Sequence, residues 1–375
     1  MTAPPPTATP RLDSLTGVRF LAALLVFGYH GIHYLGEGGL GLFAAGMAGV
    51  SLFFLLSGFV MAWSAGPADR AALYYRRRFA RIYPAFLAAW LVSLAVGTVG
   101  GTVSLWDVLL PPTLLQAWVP LRIAYFAGSA VFWSLSCEAF FYLLFPWIHR
   151  LLAHRTAPTL VLVGSGAALA SLGTALALSG APATDLTRWL LVLFPPLRLM
   201  EFVIGVVLGI AFRRGLRMPV PLWCAFALAA AGCGVAALAP YALSRYAVTL
   251  LPFVVLIGAL ATADLRGSPS LLRRRPFVEL GVWSYCFYLL HAMVLIAVFS
   301  VAGGLDWVDQ AEASPGAPVP AVRWALLAAA LGASVVAAWM LHRIVERPLE
   351  RLLRPTPLSR LDATCSTGSS TRRSG

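Results

Sequence analysis

Residues 17–35 read GVRFLAALLVFGYHGIHYL, a run in which only Arg19, His30 and His33 can carry a charge. A helix rises ~1.5 Å per residue and the hydrocarbon core of a bilayer is about 30 Å thick, so the run has the length and composition to cross a membrane. The same pattern recurs near 43–64, 79–101, 131–152, 157–179, 189–211, 219–239, 244–263, 277–301 and 322–345. With 59% hydrophobic and 11% charged residues and a mean hydropathy of +0.81, the 375 residues leave no room for a separate globular unit. The expected fold is therefore all-α, a polytopic membrane bundle of about ten transmembrane helices occupying 17–350. A short Pro- and Thr-rich tail at 1–16, with no cleavable leader, and a low-complexity tail at 351–375 flank it.

Every basic residue apart from histidine is arginine, 28 in all. With the N-terminus placed inside, twenty-one fall in the inner loops and tails, against four (Arg122, Arg188, Arg245, Arg323) outside, which fits ten spans with both termini cytoplasmic. The net charge of +13 is then mostly topology, and a nucleic-acid partner, which needs a basic face on a soluble domain, is not expected. Without lysine there is no Walker-type phosphate loop and no Schiff-base lysine, so ATP-driven transport and pyridoxal chemistry are excluded within this chain. Cys137, Cys224, Cys233, Cys286 and Cys365 form no C-x-x-C pair and read as packing residues; no metal site is expected. The outer segment 102–130, with its amphipathic VSLWDVLLPPTLLQAW, and the polar segment 302–321 are positioned to cover an external opening.

Ionisable groups within apolar spans cost several kcal/mol each, so the few present point to function. Arg19 and His30 are eleven residues apart on the first span, ~16 Å along the axis and about 20° in azimuth, hence in one seam. Glu138 on the fourth span and His30 lie at similar depths, ~10 and ~8 Å from their outer ends, so the two can meet. A buried imidazole beside a carboxylate is what general-base catalysis requires. Arg78 and Arg81, one turn apart in YYRRRFARIYP, can present two guanidinium groups to a phosphate. Arg198 and Glu201 share a helical face and can neutralise one another; His291 lies near the midplane, where a hydrogen-bonded core role competes with a functional one. His33 reads as an interfacial anchor, and His149, His154 and His342 as inner-end residues. Gly205 and Gly209 form a small-x-x-x-small pair that marks helix packing.

These residues together resemble the acyltransferase-3 family of bacterial integral-membrane O-acyltransferases. LDSLTGVRFLAALLVFGYH is similar to the family's first span, with Arg, ten residues and His; GVSLFFLLSGFVMAW resembles its second. RRRFARIYP carries the Arg-x-x-Arg motif and FWSLSCEAFFYLLFP the Trp-Ser-Leu-Ser-x-Glu element, while PPLRLMEFVIG, ELGVWSYCFYLLH and VERPLERLLR resemble later signatures. The LTGVRF form of the first span is similar to the branch that includes macrolide O-acyltransferases of antibiotic producers.

The resemblance implies a multi-pass protein of the bacterial cytoplasmic membrane with no tightly bound cofactor. It would move an acyl group, acetyl by expectation, from acyl-CoA to a hydroxyl of a glycan, glycolipid or glycosylated natural product. His30 would be the catalytic histidine, as general base or covalent acyl carrier. Glu138 would fix its tautomer, Arg19 would support the site, and Arg78 and Arg81 would hold the acyl-CoA phosphates. Trp133, Ser136, Arg198, Glu201 and His291 are supporting candidates, with Arg19 or Arg198 placed to stabilise an oxyanion. The rival reading is a proton-coupled transporter or flippase for a lipid or glycan, against which no internal two-fold repeat is visible and the Arg-x-x-Arg pair goes unexplained.

Overall fold

The computed structural model describes residues 9–35, 41–66, 70–99, 101–182, 184–244, 246–302 and 320–353. Arg245, Cys365, most of the outer segment 302–321 and most of both tails lie outside them. Every regular element among the described residues is helical. Among these residues, ten helices have sixteen residues or more: α1 Asp13–Leu35, α2 Ala48–Ser64, α3 Ala71–Val99, α4 Trp133–Leu152, α5 Ala157–Ala177, α6 Pro195–Arg213, α7 Leu222–Leu238, α8 Leu250–Leu265, α9 Arg275–Val301 and α10 Ala321–Leu341. Each coincides with one of the ten apolar stretches of the sequence.

By length and composition, six helical segments can cross a membrane: Asp13–Leu35, Ala71–Thr98, Ala157–Ala177, Asp185–Arg213, Arg275–Val301 and Ala321–Leu353. That is fewer than the ten expected. The reason is physical: α2, α7 and α8 have 17, 17 and 16 residues, about 24–26 Å at ~1.5 Å per residue, and α4 is diluted by Glu138, His149 and Arg150. Large apolar side chains such as Leu162, Trp223, Leu238 and Val301 remain exposed on the outside of the bundle, as a lipid-facing surface requires.

Hydrogen bonds show which helix ends meet. Trp63 Nε1 donates to the Pro10 carbonyl, Arg76 to Leu353, Arg213 to Ala65, Arg214 to Ala153 and Arg155, and the Asp264 carboxylate accepts from the Ser14 amide and hydroxyl. The start of α1, the end of α2, the start of α3 and the ends of α4, α6 and α8 therefore share one arginine-rich end of the bundle. Toward the opposite end, the short helix Leu105–Thr113 lies alongside α3, whose Tyr83 and Trp90 donate to the Pro112 and Asp107 carbonyls, each at 2.8 Å. Its Ser104–Asp107 capping box closes the first turn, and Asp107 also accepts from the Gly128 amide at 2.6 Å.

Two seams hold the centre. Along α2 and α6, a Cβ at Gly58 would fall onto the Phe202 carbonyl, and one at Gly205 onto the Leu55 carbonyl; Gly209 meets Phe59 in the same way. The small-x-x-x-small pair is thus a backbone-to-backbone contact. Along α1 and α9, Gly281 lies against the Thr16 carbonyl, which fixes the two helices carrying His30 and His291 side by side.

A branched side chain at Gly205 must push the two backbones apart. Gly205→Val is expected to lower stability by about 3 kcal/mol or to abolish folding, whereas Gly234→Ala, where a Cβ meets nothing, gains about 0.5 kcal/mol. Thermal unfolding in detergent compares the two. Partial burial favours the neutral form of Asp107, but hydrogen bonds from Ser104 and Gly128 outweigh it and hold the carboxyl below the ordinary aspartate value. That contribution is complete above about pH 4 and is lost as pH falls through the lowered value. Hydrogen-exchange protection at Gly128 is expected to fall with acidification in the wild type, and to be weak already at neutral pH in Asp107→Asn.

Candidate functional site

Four cavities lie in a row along the seam between α1, α2, α3, α4 and α9. The largest, ≈ 590 Å³, opens at the arginine-rich end and is lined by Tyr74, Arg77, Arg78, Arg81, His149 and Arg150, among others. Next to it and sharing Arg78 and Arg81 is one of ≈ 370 Å³ that reaches inward to Arg19, Glu138, Tyr142 and Tyr285. Arg19, Glu138 and Tyr285 also line a neck of only ≈ 30 Å³, room for about one or two waters, which ends at Ser134 and Tyr288. Beyond Trp133, the neighbour of Ser134 on the first turn of α4, a cavity of ≈ 400 Å³ opens at the opposite end, lined by Tyr29, His30, His33, Arg122, Arg188 and Tyr241.

The arginine-rich end takes its charge from one helical turn. Arg78 and Arg81 both face the cavities, and the Arg78 guanidinium sits over the rings of Tyr74 and Tyr142, each 5.8 Å from the centroid. Its Nε is buried without a hydrogen-bond partner. A planar cation held between two aromatic faces with donors left over is suited to an anionic oxygen ligand. At the neck, Arg19 lies over the Phe53 ring at 5.9 Å and faces Glu138 without a direct ion pair. Glu138 accepts from Tyr142 Oη at 3.0 Å, and Tyr142 is in turn 3.2 Å from Ser57 Oγ.

His30 does not meet Glu138. Equal depth on two helices placed them together in the sequence, but α1 packs against α9, and His30 Nδ1 lies 3.0 Å from His291 Nε2. Glu138 is engaged with Tyr142 instead, so the expectation that it orients the imidazole is corrected. His291 is fully buried, stacked on Phe287, and its Nδ1 lies 2.9 Å from the Tyr288 carbonyl and 3.2 Å from that of Phe287.

The other supporting candidates divide. Trp133 lines the cavity of His30. Ser136 turns away from all four cavities, donating to the Leu114 carbonyl at 2.5 Å and accepting from the Ala117 amide at 3.3 Å, which ties α4 to the segment after the short helix Leu105–Thr113. Arg198 and Glu201 form a buried ion pair at 3.1 Å between α2 and α6, with Ser51 as a further partner and the rings of Phe54 and Tyr246 on the guanidinium. They line none of the four cavities, so Arg198 is not placed to meet an oxyanion there. His33 Nδ1 lies 3.0 Å from the Tyr29 carbonyl and its ring packs edge-on against that of Tyr29, at the rim of the His30 cavity.

Sequence reasoning missed one cluster. His342, taken as an inner-end residue, is 2.7 Å from Glu346 Oε2, which also accepts from Cys286 Sγ at 3.1 Å. The i, i+4 spacing of His342 and Glu346 was the available signal. These three side chains could be read as a metal-binding set, since their donor atoms lie within 4.8 Å of one another. Yet the separations are hydrogen-bond lengths, shorter than the ~3.3 Å between ligands bonded tetrahedrally to zinc at about 2.0–2.1 Å. Cys137, Cys224 and Cys233 are free thiols within helices, as packing residues are.

For the buried pair, removal of one partner strands a charge. Arg198→Met and Glu201→Leu are each expected to cost about 3–5 kcal/mol in thermal unfolding, and the double variant to recover most of it.

The acyltransferase-3 family, an acyltransferase domain, matches residues 12–343. The chain is 38% identical over 373 residues to acyltransferase MdmB of Streptomyces mycarofaciens, across 93% of this chain and 94% of that protein. No solved structure matches it.

Proposed function

The chain belongs to the acyltransferase-3 family and is an O-acyltransferase, and on that premise we propose that it moves an acyl group from acyl-CoA to a hydroxyl presented from the other side of the bilayer. All ten long helices cross the bacterial cytoplasmic membrane, with both termini and the arginine-rich end facing the cytoplasm, where acyl-CoA resides. Acetyl-CoA is the expected donor. The acceptor is a glycan, a glycolipid or a glycosylated natural product such as a macrolide.

The observation that carries this reading is the row of cavities: a cationic one, ≈ 590 Å³, at one end, a narrow neck at Arg19 and Glu138, and a cavity holding His30 at the other. Arg78 and Arg81 hold the phosphates of CoA. The pantetheine arm runs inward past Tyr142 and Tyr285, and the thioester is presented at the neck. The acceptor occupies the cavity beyond Trp133. His30 takes the proton of its hydroxyl as the oxygen attacks the thioester carbonyl; the C–S bond breaks, and the thiolate leaves with that proton as the free thiol of CoA. Arg19 stabilises the negative charge that develops on the carbonyl oxygen.

The test is thiol release from acetyl-CoA by the purified protein in nanodiscs, with glycosylated acceptors supplied. Acceptor-dependent release should fall about 10²-fold or more in His30→Ala. In Arg78→Ala the KM for acetyl-CoA should rise with a smaller change in kcat. Absence of turnover and of CoA binding in the intact protein, together with proton-coupled uptake in vesicles, would move the function to transport.

A further inference from the structure

The pairing of His30 with His291 contains more information than proximity, because it fixes which nitrogen carries each proton. His291 Nδ1 lies 2.9 Å from the Tyr288 carbonyl oxygen and 3.2 Å from that of Phe287. A carbonyl only accepts, so a bare nitrogen lone pair at that distance would be repelled; Nδ1 of His291 must carry the hydrogen. In the neutral ring Nε2 is then bare. Across 3.0 Å it faces His30 Nδ1, which must therefore be the N–H donor. With Nδ1 protonated, the lone pair of His30 is at Nε2, which makes no hydrogen bond among the described residues, and the ring lines the ≈ 400 Å³ cavity.

We propose that His291 is a positioning residue for the transfer reaction: through the backbone of α9 it imposes the Nδ1–H tautomer on His30 and so directs the reactive Nε2 lone pair into the acceptor cavity. This rests on the reading of His30 as the base. His291 does the task that a carboxylate performs in other histidine bases, but it adds no negative charge where none can be hydrated. When His30 receives the acceptor proton at Nε2, its Nδ1–H still donates to His291, so the imidazolium keeps its partner until the proton passes to the departing thiolate. His291 itself is held by burial and by its stack on Phe287, centroids 5.7 Å apart and planes 9° from parallel. Tyr29 packs edge-on against His30, 5.4 Å between centroids, limiting rotation of the ring.

The first measurement needs no substrate. In full-length protein labelled with ¹⁵N-histidine and reconstituted in nanodiscs, nitrogen chemical shifts report the tautomer of each ring, and the His30 signal is assigned by its disappearance in His30→Ala. The expected result is the Nδ1–H form for both His30 and His291. An Nε2–H tautomer at His30 overturns the proposal, whatever the protein's activity. The second measurement compares two substitutions. His291→Gln keeps an acceptor near the position of Nε2, and His291→Phe keeps the aromatic stack but removes the acceptor. With Phe, kcat for acceptor-dependent thiol release should drop roughly 10²-fold at an unchanged KM for acetyl-CoA, and with Gln it should return to within about tenfold of wild type. Equal activities in folded Phe and Gln variants would show that His291 only packs, and would overturn the proposal while leaving His30 as the base.

Discussion

Inside a bilayer a polar side chain has no water to turn to, and every such group must find its partner within the bundle. The architecture follows from that constraint. Arg198 is neutralised by Glu201, Glu138 is held by Tyr142, Glu346 gathers Cys286 and His342, and His30 leans on His291. Each partnership crosses between helices or spans one helical turn, so each also fixes a register. The glycine contacts of α2 with α6 and of α1 with α9 let backbones come close enough for these short reaches. The polar groups do not decorate an apolar scaffold; they determine how it can be assembled.

The partnerships differ in what they leave over. Arg198 and Glu201 neutralise one another away from the four cavities, although other polar atoms of both side chains stay unpaired. Arg78 is cradled by aromatic rings while its Nε remains without a partner, and Arg19 faces Glu138 without pairing to it. His30 spends one nitrogen on His291 and keeps the other. What sets Arg19, Arg78 and His30 apart from the buried pair is that they line the cavities, so the bonding capacity they leave over faces open space.

Much of this was legible in the sequence. Ten apolar stretches marked the ten long helices, and Arg19, His30, Arg78, Arg81 and Glu138 stood out because ionisable residues are scarce in such stretches. Their partners were not legible. Depth along a helix follows from counting residues, but the neighbour it turns toward depends on tertiary packing, so His30 and Glu138 seemed matched although α1 faces α9. Likewise α2, α7 and α8 are shorter than the twenty or so residues that hydropathy suggests, because turns precede α2 and α8 and the prolines Pro221 and Pro240 bound α7. Gly205 and Gly209 were read correctly because a four-residue spacing of small residues has few other uses.

The ≈ 30 Å³ neck has an electrical consequence. Water admitted from each side carries the bulk potential of that side up to the narrowest point, so the voltage across the membrane falls over a few ångströms instead of the full bilayer. Arg19 and Glu138 stand where it falls. A unit charge moved through that septum exchanges about 2.3 kcal/mol with the membrane per 100 mV. The narrow neck thus keeps the two vestibules from acting as a pore, and in the proposed reaction it would concentrate the cell's own electric field on the place where thioester and hydroxyl meet.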